Sequence, residues 1–366
     1  MKLLLTCGGT GGHISPALSV AELWKQKGGD VLIAGNFEDV GRDLIDSEKY
    51  KSRSIPAAPL PRGLSIRLFK SLGVNLTGMW RARKIIKEFE PHVVLGTGGY
   101  ASGAVVLTAG LLGYPTAIHE QNSYPGLANR LLARLSDLIA ISYGDSREYF
   151  KDKFQERIEH TGNPIRQSIT EVDRHEARDK LNIPESKFAV LVMGGSQGAA
   201  VINRALISAY EKLTSLDDFY AIHITGKNLS SSAREKIEFI SFCDDVEYPL
   251  AAADLFVGRA GATTLAEITA CSLPAILIPY PHAAADHQLQ NARMLSEFGA
   301  ASLLEESNLC PGRIEDEISY LYHNEKILQQ MSQNSGELGF PRAAENIVRL
   351  LQNLAEGEEN HGDIRN

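Results

Sequence analysis

Leu3-Leu4-Leu5-Thr6-Cys7-Gly8-Gly9-Thr10-Gly11-Gly12-His13, read beside Phe188-Ala189-Val190-Leu191-Val192-Met193-Gly194-Gly195-Ser196-Gln197-Gly198, decides the fold. In both stretches a short, mostly apolar run ends on a glycine-rich turn. Such a run marks a strand buried on both faces. Glycine lets the following turn take φ > 0 and lets a ligand approach backbone that carries no Cβ. Between these first and third turns lies a second, Gly96-Thr97-Gly98-Gly99, after Val93-Val94-Leu95. A helix that starts at such a turn offers free N–H groups and the positive end of its dipole, about half an elementary charge, to an anion. The repetition predicts two nucleotide-fold domains across a cleft.

The pattern around the turns agrees. Apolar strand-like runs at 2–7, 30–34, 93–95, 116–120 and 138–142 alternate with helical periodicity at 16–26, 40–45, 102–112 and 127–135. Ser15-Pro16 reads as an N-cap with proline at the first helical position, and Gly28-Gly29 as the stop. Alternation of this kind predicts an α/β, doubly wound parallel sheet. It breaks at Thr161-Gly162-Asn163-Pro164, passes through a polar stretch to Glu185, and restarts at Phe188. Runs at 188–193, 220–225, 254–257 and 275–279 read as strands; 199–212, 264–271, 288–298 and 343–354 read as helices. The expected domains are 1–163 and 164–340.

With 366 residues, 43% of them hydrophobic and 22% charged, the chain can bury two cores. A net charge of −8 argues against nucleic acid as a partner. The charge is uneven, however. Residues 60–90 hold Arg62, Arg67, Lys70, Arg81, Arg83, Lys84 and Lys87 against Glu88 and Glu90, among Leu68, Phe69, Leu72, Leu76 and Trp80. An ordinary helix with a solvated basic face is the plain reading. Each basic residue near an anionic leaflet contributes about 1 kcal/mol, and a peripheral membrane face is favoured. The four cysteines form no C-x-x-C pair and suit a reducing compartment. The leading apolar residues run into glycines, so a first strand is expected rather than a signal peptide. Residues 93–118 carry no charge, but their glycines and Pro115 favour strand, turn, helix and strand over a membrane span.

The glycine spacings do not match G-x-G-x-x-G, and no turn ends in Gly-Lys-Ser/Thr, which disfavours nicotinamide and ATP. A nucleoside diphosphate fits better, with the Ser196 hydroxyl as a donor to phosphate. Glu267, just inside a helix after Gly258-Arg259-Ala260-Gly261-Ala262-Thr263-Thr264, is either a capping-box partner of Thr264 or a two-oxygen acceptor for ribose hydroxyls. Its position after a strand-end turn favours the ribose. His13 is a base candidate near neutral pH or a hydrogen-bonding spacer. His119-Glu120-Gln121-Asn122 ends a strand, its side chains aimed at a cleft or packing the turn. His282 and His287 are wrongly spaced for a helical metal pair, and no Asp-x-Asp occurs. No metal and no cofactor are expected, which leaves charge neutralisation to helix N-termini and arginines.

Taken together these motifs resemble the MurG family: Gly8 to His13 with Pro16, Gly96 to Tyr100 with Ser102-Gly103, His119 to Asn122 with Pro125-Gly126 and Asn129, Gly162 to Arg166, Gly194 to Gly198, Arg259 to Glu267, and His287-Gln288 with Asn291-Ala292. The resemblance implies a GT-B glycosyltransferase fold with a C-terminal helix, within 341–366, packing back on the first domain. It implies an inverting transfer of N-acetylglucosamine from UDP-GlcNAc to undecaprenyl-pyrophosphoryl-MurNAc-pentapeptide, in peptidoglycan synthesis. Donor contacts are then expected from Thr10, Gly11, Gly12, Asn122, Arg166, Ser196, the Cys243 backbone, Ala262, Thr263, Thr264, Leu265, Ala266, Glu267 and Gln288, with His13 as base. Leu68, Phe69, Lys70, Trp80, Arg81, Arg83 and Lys84 would meet an anionic membrane surface on the cytoplasmic face of the inner membrane, where other cell-wall synthesis proteins are further partners. Two departures stand out: Ala260 where the family often has serine, and Cys243 where an aliphatic residue is usual. A UDP-GlcNAc 2-epimerase, a natural-product glycosyltransferase and a non-enzymatic scaffold are the rival readings.

Overall fold

A computed structural model describes residues 1–9, 11–37, 45, 50–59, 66–195, 198–226 and 235–357. The chain divides into two compact units, Met1–Arg166 with Arg342–Asn366, and Gln167–Pro341. Arg166 therefore groups with the first unit.

In the first unit, β1 (Lys2–Gly9), β2 (Asp30–Phe37), β3 (Ser52–Ser54), β4 (Val93–Gly96), β5 (Thr116–Glu120), β6 (Leu138–Ile141) and β7 (Ile158–His160) form one sheet in the order β3-β2-β1-β4-β5-β6-β7. Every pairing is parallel. β1 is central, with Leu3, Leu4, Leu5 and Cys7 fully buried, because helices cover both faces. One face packs on α1 (Gly11–Gln26) and on the C-terminal helix Ala343–Glu356, whose Ile347, Val348, Leu350 and Leu351 join Leu3, Leu5 and Trp24. The other face meets α2 (Ile66–Phe89) and α3 (Tyr100–Leu111) through Ala82, Ile86, Val105 and Val106. A short α4 (Leu127–Leu132) follows β5.

The second unit repeats the plan. Strands β8 (Phe188–Met193), β9 (Phe219–Ile224), β10 (Ile237–Ile240), β11 (Leu255–Gly258), β12 (Ala275–Leu277) and β13 (Ala301–Leu303) lie parallel in the order β10-β9-β8-β11-β12-β13. Its helices are α5 (Ser168–Glu171), α6 (Arg174–Lys180), α7 (Ala200–Leu213), α8 (Glu247–Ala252), α9 (Ala262–Ala270), α10 (His287–Glu297), α11 (Pro311–His323) and α12 (Glu325–Glu337). In each unit the chain winds outward from a central strand, then returns to the other side. The order reverses between β1 and β4 and again between β8 and β11. Open parallel sheets bind ligands beyond the carboxyl ends of such strand pairs.

Some expectations need correction. Helix α1 starts at Gly11, so Pro16 lies inside it and Ser15 does not cap it. Its first turn is therefore the glycine turn itself. The α9 N-cap is Gly261, with no side-chain bond, so Thr264 and Glu267 form no capping box. The helix expected at 40–45 lies outside the described residues, except Ile45. Residues 93–118 divide into β4, the second turn, α3 and β5. Among the described residues no helix is long and apolar enough to cross a membrane, and the four thiols are unbridged.

Candidate functional site

In the first unit the first and second turns meet where the strand order reverses. A methyl at Gly99 (φ 83°) would sit 2.6 Å from the Gly8 carbonyl oxygen. One at Gly98 (φ 108°) would sit 2.7 Å from Nδ1 of His13. The two glycines thus create the space into which β1 and the half-buried His13 ring settle. Thr97 Oγ1 donates to the His13 carbonyl at 2.7 Å, and Ser102 Oγ lies 2.7 Å from the Thr6 carbonyl.

His119, Glu120 and Gln121 are buried and pack the turn; of the two readings left open for them, this one holds. Gln121 Nε2 donates to the Thr97 carbonyl and lies 3.2 Å from His119 Nδ1. His119 Nε2 faces the Gly162 carbonyl at 3.1 Å. A carbonyl only accepts, so Nε2 carries the hydrogen and Nδ1 accepts from Gln121. Burial is the main cause that lowers the His119 pKa to about 4, and the His13 charge acts the same way; the Gly162 bond opposes them. At neutral pH His119 is uncharged and puts no positive charge beside His13. Glu120 binds the loop it precedes: Oε1 accepts from the Asn122 backbone N–H (3.0 Å) and Nδ2 (3.2 Å), Oε2 from Gly126 N–H (2.9 Å) and Asn129 Nδ2 (2.8 Å). Asn122 is held partly exposed by these bonds. Thr10 lies outside the described residues.

The second unit has its own turn pair at β8 and β11, whose ends touch: a Gly258 methyl would sit 2.2 Å from the Met193 carbonyl. The third turn runs into α7, with Gly194 pressed on Ala199 and Gly198 (φ 75°) on Thr225; Ser196 lies outside the described residues. Next to it, Arg259, Ala260 and Gly261 lead into α9, whose first turn holds Ala262, Thr263 and Thr264, all half-buried. Leu265 is buried and Ala266 half-buried. Glu267 follows on α9, 8% exposed. Two helix starts without side-chain caps therefore open from neighbouring strand ends, an arrangement suited to a diphosphate. Gln288, in the first turn of α10, accepts from Tyr280 N–H at 3.0 Å. Cys243 is half-exposed in the segment after β10, and burial is the main cause that raises its thiol pKa.

Arg259 is held by the protein itself. Its guanidinium donates to the Ile278 and Pro279 carbonyls, pairs with Glu306 and lies over the Tyr280 ring. It therefore braces the β11–α9 turn. Asn291, fully buried, reaches the Ala260 carbonyl. Partners so distant in sequence leave no local signal.

Of the basic stretch, Phe69 and Trp80 are 68% and 67% exposed on α2, with Leu76 between them at 65%. At 100° per residue these three share one stripe with Arg83 and Lys87, opposite the packed Ala82 and Ile85. Lys70, Arg81 and Lys84 flank it, exposed; the Leu68 side chain lies outside the description. Among the described residues no group of three or more His, Cys, Asp or Glu side chains could hold a metal ion.

Residues 3–141 match the glycosyltransferase family 28 N-terminal domain, and residues 189–347 its C-terminal domain. A protein of Halothermothrix orenii described as UDP-N-acetylglucosamine--N-acetylmuramyl-(pentapeptide) pyrophosphoryl-undecaprenol N-acetylglucosamine transferase is 43% identical over 98% of this chain and 100% of its own. The crystal structure of Acinetobacter baumannii MurG superposes with a TM-score of 0.75 at 25% identity, covering 96% of this chain and 99% of that one. A Neisseria meningitidis UDP-GlcNAc 2-epimerase bound to UDP-GlcNAc gives 0.67 at 15% identity, covering 96% of this chain and 100% of that one, a likeness of fold alone. The chain belongs to glycosyltransferase family 28, within its MurG family.

Proposed function

We propose that this chain transfers N-acetylglucosamine from UDP-N-acetylglucosamine to the C4 hydroxyl of N-acetylmuramyl-(pentapeptide) pyrophosphoryl-undecaprenol, converting lipid I to lipid II in peptidoglycan synthesis. The observation that carries this is the 43% identity, end to end, with a relative named for that transfer. The geometry of each unit supports it.

The transfer is a single displacement with inversion. The acceptor C4 oxygen attacks the anomeric carbon from the face opposite UDP and forms the β-1,4 bond. As it does so, its proton passes to His13. The bond between the anomeric carbon and the β-phosphate oxygen breaks, and its electron pair leaves with UDP. General-base help of this kind contributes roughly 10²–10⁴-fold. Charge that grows on the leaving diphosphate is met by the N–H groups that begin α7 and α9, fixed before the reaction starts. Glu267 accepts from the ribose hydroxyls, Gln288 contacts the sugar, and the Cys243 backbone reads the base. Thr10, Gly11, Gly12, Asn122, Arg166 and Ser196 are further donor contacts. No divalent cation takes part, because helix termini do its work.

The exposed α2 stripe supports a peripheral membrane face, with Phe69 and Trp80 entering the headgroup layer and Arg81, Arg83 and Lys84 meeting anionic lipid. On this reading the enzyme works at the cytoplasmic face of the inner membrane, where the lipid-linked acceptor lies. The test is radiolabelled transfer: label from UDP-[¹⁴C]GlcNAc must move into the lipid phase when lipid I is supplied. Conversion of the donor without lipid labelling would overturn the reading in favour of an epimerase or hydrolase, and no donor consumption in favour of a scaffold.

A further inference from the structure

A buried chain of hydrogen bonds in the second unit lies behind the third turn, and nothing in the reaction above uses it. Tyr210 Oη, on α7, lies 3.1 Å from His223 Nδ1 on β9. His223 Nε2 lies 3.0 Å from Asn203 Oδ1 on the first turn of α7, and Asn203 Nδ2 donates to the Thr225 carbonyl at 2.8 Å. All four residues are at most 4% exposed. That same Thr225 oxygen is the atom against which Gly198 of the third turn is pressed, 2.2 Å from where a Cβ would stand.

The direction of every bond follows from chemistry. A carbonyl only accepts, so Asn203 presents its NH₂ to Thr225 and its oxygen to His223. His223 must then donate from Nε2. Burial lowers its pKa to about 4 and raises that of Tyr210, so at neutral pH the ring is neutral, Nδ1 accepts, and the Tyr210 hydroxyl donates. Only one arrangement of protons satisfies the chain. It ties the end of β9 to the start of α7 and closes the loop that carries the third turn. His223 itself, wholly buried on β9, offers no surface to a ligand.

We propose that His223 and Asn203 are positioning residues for the nucleotide donor: through the Thr225 carbonyl they hold the third turn and the first amides of α7 in the shape that receives a diphosphate. The inference rests on the reading of that turn as the diphosphate site. A phenylalanine at 223 fills the space but gives Asn203 no donor, so the amide can rotate and release Thr225. A glutamine can replace the Nε2 donor.

The experiment measures UDP affinity by calorimetry and UDP-GlcNAc KM with the full-length protein, alongside its Tm. His223→Phe weakens UDP by about fivefold, the effect of one neutral hydrogen bond, and leaves the acceptor KM unchanged. His223→Gln restores UDP affinity to within about twofold of wild type. Should His223→Phe not fold, Asn203→Ser removes both bonds from the helix side and gives the same loss. UDP affinity that stays at wild type in the folded variants, or that is equally poor with Phe and Gln, overturns the proposal. Gly198→Ala separates the two failures. If it weakens UDP while the other variants do not, positioning alone is wrong; if it too has no effect, the third turn is not the donor site.

Discussion

A methyl group added at Gly98 tests the link between the second turn and the reacting centre. The Cβ would lie 2.7 Å from His13 Nδ1 and 2.9 Å from Cε1, so the ring must withdraw by roughly 0.7 Å to reach an ordinary 3.4 Å contact. Alanine at φ 108° is also strained, by about 1–3 kcal/mol. A displacement near 1 Å in a reacting group costs on the order of 10²-fold in rate, so Gly98→Ala should lower kcat roughly 10- to 100-fold. Strain lowers Tm by roughly 2–4 °C per kcal/mol. UDP affinity stays near wild type, because the third turn and Glu267 lie in the other unit. Gly103→Ala is the matched control: nothing lies within 4 Å of its Cβ, it sits inside α3, and stability should rise by about 0.5–1 kcal/mol. His13→Ala sets the ceiling, a loss of roughly 10²–10⁴ in kcat. Initial rates, UDP calorimetry and thermal melts of the variants make the comparison. A folded Gly98→Ala enzyme with wild-type kcat would refute the reasoning.

On the proposed ribose contact, Glu267→Ala should raise the UDP-GlcNAc KM by about 10- to 100-fold; an unchanged KM removes Glu267 from the ribose. Reversing Arg81, Arg83 and Lys84 to Glu should cost at least about 100-fold in binding to anionic vesicles, at about 1 kcal/mol per charge, with little change on zwitterionic ones. Equal binding by the variant would mean that another surface docks. His119 and His223 both have pKa values lowered to about 4. The unfolded chain therefore binds more protons between pH 4 and 6.5. Stability is full above 6.5 and falls as pH drops toward 4, by up to about 1.4 kcal/mol per pH unit for each histidine. Denaturant midpoints across that range should show the slope, and the His119→Gln/His223→Gln pair should flatten it; a slope that stays would contradict the assignment.

Periodicity and glycine placement were enough to read the strands and helices around β1, β4 and β8, because their signals are local: an apolar run, then a turn that only glycine permits. The start of α1 was misplaced, since Ser15-Pro16 carries a strong cap signature while Gly11 and Gly12, poor helix formers, are drawn into the helix. β3, β10 and β13 are short strands whose few residues give little periodicity. That Glu267 and His13 stand beside turns was legible. What they rest on was not. Gln121 reaches Thr97 across 24 residues, Asn203 reaches Thr225 across 22, and Arg259 reaches Glu306 from another loop. Arg178, at the end of a stretch read only as polar, is fully buried and donates to Asp254 and to four carbonyls. Such contacts are made by the tertiary fold, and spacing in sequence does not encode them.

The most direct measurement is the anomeric configuration and linkage of the transferred sugar, read by NMR on the disaccharide released from lipid after reaction in excess EDTA. Single displacement through His13 without a divalent cation predicts a β-1,4-linked N-acetylglucosamine, one for each UDP formed. An α linkage, a different hydroxyl, or silence in EDTA would contradict it.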